Sequence, residues 1–134
     1  MDCSILNGRV IKKIKVRKDK SEIYFETAND EVFAFYHIQD CCESVTIDDI
    51  SGDLQDLINE KIIYFSETIN EGDSESSTWT FYDISTLNTH IQIKWYGESN
   101  GYYSESVDFT KIEKGESLYG RNDYEKDGLF DIYQ

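Results

Sequence analysis

Apolar and polar residues alternate along most of this chain, and the alternation breaks at short clusters of Gly, Asn, Asp and Ser. A period of two places successive side chains on opposite faces of a strand, so the pattern predicts a β-rich domain. Val10, Ile14 and Val16 are in phase within Val10-Ile11-Lys12-Lys13-Ile14-Lys15-Val16, which reads as a strand with a basic solvent face. Ser21 to Thr27 and Glu31 to Phe35 read as two further strands. They are joined through Ala28-Asn29-Asp30, whose residues tolerate positive φ and close a hairpin. The acidic second strand is placed to pair with the basic first one across the ladder.

Residues 37–44 carry no clear period, and Ser44 to Ile47 reads as a short strand. The Asp/Ser cluster from Asp48 to Asp53 offers an N-cap. Leu54, Leu57 and Ile58 follow at i, i+3, i+4, so one short helix is expected near 53–59. Lys61 to Ile69 reads as a strand, and 70–77 as an exposed polar loop. Ser77 to Thr86 and His90 to Trp95 form the clearest hairpin, turning at Leu87-Asn88-Thr89. Ile91, Ile93 and Trp95 share one face, with Gln92, Lys94 and Tyr96 on the other. A final strand is expected over Tyr102 to Ile112. The sum is an α+β fold, mostly antiparallel β: one twisted sheet or half-barrel of about seven strands with one short helix. Residues 1–112 form the expected domain, and 113–134 an acidic, Tyr-containing tail.

At 134 residues the length fits one domain with a core that needs no staples. The formal net charge is −14, unevenly placed: residues 1–20 carry +5 and the rest −19. An acidic body repels nucleic acid and anionic membranes and steers toward basic partners. Three cysteines, Cys3, Cys41 and Cys42, make no disulfide framework, and all three are expected as reduced thiols in a cytosolic protein. No apolar segment approaches the length of a membrane span, and the first residues lack the layout of a secretory signal.

Two blocks stand out as motifs: the run from Gln39-Asp40-Cys41-Cys42-Glu43-Ser44-Val45 to Gly52-Asp53-Leu54, and Thr78-Trp79-Thr80-Phe81-Tyr82 followed by Trp95-Tyr96-Gly97-Glu98-Ser99-Asn100-Gly101-Tyr102-Tyr103-Ser104. Together they resemble an uncharacterised domain family found mainly in bacteriophage and prophage proteins, over roughly residues 8–110. The resemblance implies a phage context and brings no reaction with it.

Four candidate sites follow from residue chemistry. The loop bearing Tyr96, Glu98, Ser99, Asn100, Tyr102, Tyr103 and Ser104 combines rigid aromatic area with adaptable hydrogen-bonding groups, which suits a partner or a stacked nucleotide. The simpler reading is a structural turn, closed by Ser99-Asn100-Gly101 with the tyrosines covering the sheet. The carboxylates Glu67, Glu71, Asp73, Glu75, Asp108, Glu113, Glu116, Asp123, Glu125 and Asp127 are candidates for a surface that mimics nucleic-acid phosphates before a basic protein. Cys41 and Cys42 beside His37, Asp40 and Glu43 have the residue types of a nucleophile cluster, against the simpler reading of a packed turn. Asp48, Asp49, Asp53 and Asp56 lack the spacing of a calcium loop and read first as helix caps. The expectation is therefore a cofactor-free, metal-free binding protein, not an enzyme. It acts on a host protein with a basic surface, such as a component of antiviral defence, and binds neither nucleic acid nor membrane. A nucleotide-signal binder and a cysteine-dependent enzyme are the alternatives.

Overall fold

The computed structural model describes residues 2–72, 75–112 and 125–134. Nine strands are present among them: β1 (Ile11–Arg17), β2 (Ile23–Thr27), β3 (Val32–Tyr36), β4 (Ser44–Ser51), β5 (Tyr64–Glu71), β6 (Ser77–Ser85), β7 (His90–Glu98), β8 (Asp108–Ile112) and β9 (Phe130–Tyr133). They form two antiparallel sheets, ordered β8-β3-β2-β1-β9 and β4-β7-β6-β5. The inner faces of both supply one core, from Ile14, Phe25, Phe33 and Phe35 on one side to Ile47, Phe65, Tyr82 and Trp95 on the other. This is an all-β sandwich. The expected single sheet or half-barrel of about seven strands is corrected, as is the α+β class.

The helix expected at 53–59 is a single 3-10 turn, Leu54–Leu57. Two competitors shorten it. β4 runs on through Asp48 to Ser51, pairing with Lys94, Ile93 and Gln92 of β7 across a bulge at Asp48. Gly52 then turns at φ +103, and Asp53 caps the turn by accepting from the Gln55 N–H. Ile58 is already extended and bridges Ile11. Leu54 and Leu57 still enter the core, so the apolar spacing was a burial signal without a helix behind it.

The hairpins at Asp30 and at 86–89 form where expected: Asp30 has φ 61, and the Thr86 N–H donates to the Thr89 carbonyl at 2.9 Å. The expected strand over 102–112 is real only from Asp108, and it joins β3 in the opposite sheet. Between Glu98 and Asp108 the chain crosses from one sheet to the other. β9 adds to β1 at the far edge, where Phe130 packs edge-on to Tyr24 at 5.7 Å. Phe130 lies over Lys15 and Arg17, so the face of β1 read as basic and solvated is covered there, and Lys15 is buried.

Candidate functional site

The cations near the N-terminus are largely spent inside the fold. Arg9 donates to both oxygens of Glu31, at 3.1 and 3.4 Å, and Lys111 reaches the same carboxylate at 3.5 Å. Lys12 pairs with Glu26 at 3.4 Å and with Asp30. Lys15 binds Asp127 at 3.0 Å, and Arg17 meets Asp19 at 3.3 Å and Glu22 at 3.9 Å. The Arg9 guanidinium holds the Glu31 carboxyl below its ordinary value, and Lys15 does the same to Asp127. Lys12, Lys15 and Arg17 of β1 are thus balanced by acids of the β1–β2 turn, β2, the β2–β3 turn and the C-terminal segment.

The predicted acidic surface divides four ways. Glu71, Glu75 and Glu125 are exposed. Glu67, on β5, accepts from the Tyr82 hydroxyl at 2.7 Å, and Asp108 accepts from the Ile38 N–H at 2.9 Å. Asp127 is taken by Lys15. Asp73, Glu113, Glu116 and Asp123 lie outside the described residues. Among the described residues, the fold leaves some of these carboxylates to solvent and uses others as acceptors.

The aromatic loop is built from its own hydrogen bonds. Ser99 N–H donates to Ser76 O at 2.9 Å, and Ser99 Oγ donates to Glu105. Gly101 N–H donates to Ser99 Oγ at 3.0 Å, and Tyr102 N–H to Asn100 Oδ1 at 3.0 Å. Ser104 Oγ contacts Ser106 Oγ at 2.8 Å. Tyr102 projects 84% exposed, edge-on to Tyr103 at 5.1 Å. Tyr96 sits apart, on the outer face of β7, tilted against Trp79 at 4.3 Å, with the Lys94 ammonium also 4.3 Å from the Trp79 ring. Glu98 ends β7, exposed. Glu105 is the residue that sequence reasoning missed. Its carboxylate also takes the Thr78 hydroxyl at 2.7 Å and so clamps the crossing loop to β6. Its role depends on a partner 27 residues away, and nothing local announces it.

Cys41 and Cys42 are joined to each other, which corrects the expectation of three reduced thiols. Cys3 alone is free; burial pushes its thiol up to about 11, with Glu67 adding to the effect. Glu43, fully inside, organises this turn by accepting from the N–H groups of Asp40 at 3.0 Å and Cys41 at 2.9 Å. Burial opposes its charged form, but those two donors and His37 outweigh it and the carboxyl lies below its ordinary value. His37 Nε2 lies 3.8 Å from Glu43, and its Nδ1 meets the Ser106 carbonyl at 2.6 Å. Asp48, Asp49 and Asp53 line a cleft of about 380 Å³ with Lys20 and Tyr133. Among the described residues, no three His, Cys, Asp or Glu side chains converge as metal ligands.

The fold thus defines an antiparallel two-sheet sandwich with an acidic exterior and a clamped, tyrosine-bearing crossing loop. Residues 5–109 match the family described as Domain of unknown function (DUF7448), and the chain belongs to that family. No curated protein and no solved structure matches it. Among the described residues, no helix is long and apolar enough to cross a membrane.

Proposed function

We propose that the protein works by binding: it is a phage-type inhibitor that engages a basic surface on a host protein, a component of antiviral defence such as a nucleic-acid-guided nuclease. In this reading its exposed carboxylates take the place of nucleic-acid phosphates before that surface. The observation that carries this reading is the charge distribution. At a net −14, Arg9 and the β1 cations Lys12, Lys15 and Arg17 are paired with acids within the fold, while Glu71, Glu75 and Glu125 face solvent. The exterior field is therefore negative, which speeds encounter with a basic groove and repels polyanions. Tyr102 adds an exposed rigid ring of the kind that anchors protein interfaces.

The test is capture of host proteins on the immobilised full chain, then reconstitution with the purified captured protein. A partner whose affinity falls steeply between low and high ionic strength, and whose nucleic-acid binding the chain displaces, is the expected result. Absence of a reproducible partner, or binding indifferent to salt, overturns it.

A further inference from the structure

We infer that the outer edge of β5 receives an extended, basic segment of the partner as a fifth strand on the four-stranded sheet. This rests on the reading that the chain binds a basic protein, and it names the mode of contact.

The ladder identifies which groups are available. Gly72 N–H bonds to Ser77 O at 3.0 Å, so the even-numbered residues of β5 face β6 through their backbones. The N–H and C=O groups of Phe65, Glu67, Ile69 and Glu71 therefore point away from β6. The Cys3 thiol reaches the Phe65 carbonyl at 3.7 Å, so the turn Cys3–Leu6 closes the edge at that end. From Glu67 to Glu71 no described residue hydrogen-bonds to these outward backbone groups, although the Glu67 carboxylate takes the Tyr82 hydroxyl.

Comparison with the other edges sets β5 apart. β4 is broken by a bulge, and the Ile47 N–H beside that bulge donates to Lys20 O. β8 and β9 are only five and four residues long. β5 pairs in unbroken register over eight residues and carries neither proline nor lysine, the usual guards of an edge. Ile69 stands 58% exposed on it.

Charge selects the occupant. Glu67, Ile69 and Glu71 share one face, the two acids about 13 Å apart at strand spacing. A second copy is disfavoured. Registers that set Ile69 opposite Ile69 or Phe65 of another copy also set Glu67 opposite Glu71 or Glu67, on a chain of net −14. A segment with Lys or Arg at two positions four apart, and an apolar residue midway, satisfies all three. A cleft of about 490 Å³ lined by Cys3, Tyr64, Phe65, Glu67 and Phe109 adjoins the edge and leaves room for its side chains.

The experiment is amide exchange on the full chain, with and without a synthetic peptide of about eight residues carrying that Lys-x-Val-x-Lys pattern. New protection is expected at the Glu67, Ile69 and Glu71 amides, with Ser66, Thr68 and Asn70 already protected by β6. Ile69→Pro removes one outward N–H and leaves the ladder to β6 intact. It is expected to weaken the peptide about tenfold with the melting temperature nearly kept. Glu67→Gln with Glu71→Gln, which leaves the backbone untouched, is expected to weaken it and flatten its salt dependence. Peptide binding that protects other amides overturns the edge assignment while leaving the basic-partner reading standing. So does a captured host partner bound equally by wild type and Ile69→Pro. Protection that grows with protein concentration in the absence of peptide marks a second copy as the occupant and overturns the basic one. Failure to capture any host partner is the separate failure of the underlying reading.

Discussion

Glu31 shows how one carboxylate can organise a corner of the fold. It accepts from both guanidinium positions of Arg9 and from the Thr27 hydroxyl at 3.2 Å, with Lys111 beside it. Its carboxyl is held below the ordinary 4.5, chiefly by Arg9. A depressed folded value contributes stability that is present above the unfolded value and lost as pH falls through the folded one. Glu31→Gln should therefore destabilise by about 1–2 kcal/mol near neutrality, discounting for partial exposure. The gap in melting temperature from wild type should close as pH drops below about 4. A gap that stays constant from pH 7 to pH 3 would show the ion pair to be ornamental. Phe35 is the corresponding apolar keystone, with ring centroids 4.6 Å from Phe109, 4.7 Å from Tyr82 and 5.5 Å from Phe65. Phe35→Ala should cost about 3–5 kcal/mol, read by chemical denaturation. Gly97 tolerates no side chain for a related reason: a Cβ there would meet the Glu105 carbonyl at 2.7 Å and Val45 at 3.2 Å. The glycine is what lets the crossing loop lie against β7.

Among the elements, β9 is the most informative. It contributes four residues to the edge beyond β1, and its hold is concentrated in Phe130, buried against Tyr24 and beneath the cations of β1. Phe130→Ala should release β9 with the rest of the sandwich still folded. Hydrogen exchange should then quicken selectively at the β1 amides that face β9. Uniform loss of protection in both sheets would mean instead that β9 belongs to the cooperative core. Most strands were legible because a half-buried strand writes its period into the chain: Ile91, Ile93 and Trp95 face in, and Gln92, Lys94 and Tyr96 face out. The short helix was misread because Leu54, Leu57 and Ile58 suit one helical turn and an irregular buried segment equally well. The decision lay with β4, which claimed the four residues before Gly52 for pairing with β7. β9 escaped notice because Phe130-Asp131-Ile132-Tyr133 is too short to show a period by itself.

For the molecule as a whole, the net charge of −14 works against compactness even as it directs association. Long-range repulsion among exposed acids is screened by salt more readily than the partly buried pairs of β1 are weakened. Melting temperature should therefore rise between about 10 mM and 150 mM salt, by roughly 3–6 °C for each kcal/mol of repulsion relieved. A fall over that range would show that the ion pairs outweigh the repulsion. Composition and alternation were enough to establish an antiparallel β protein with an acidic exterior, because burial demands a period of two and charge can be counted. Division into two sheets, the crossing from β7 to β8, the spending of the β1 cations on distant acids and the open edge of β5 were settled by which strands pair. Pairing depends on contacts between residues far apart in the chain. Lys15 needs Asp127, and Thr78 needs Glu105, and neither partner is marked by its own neighbours.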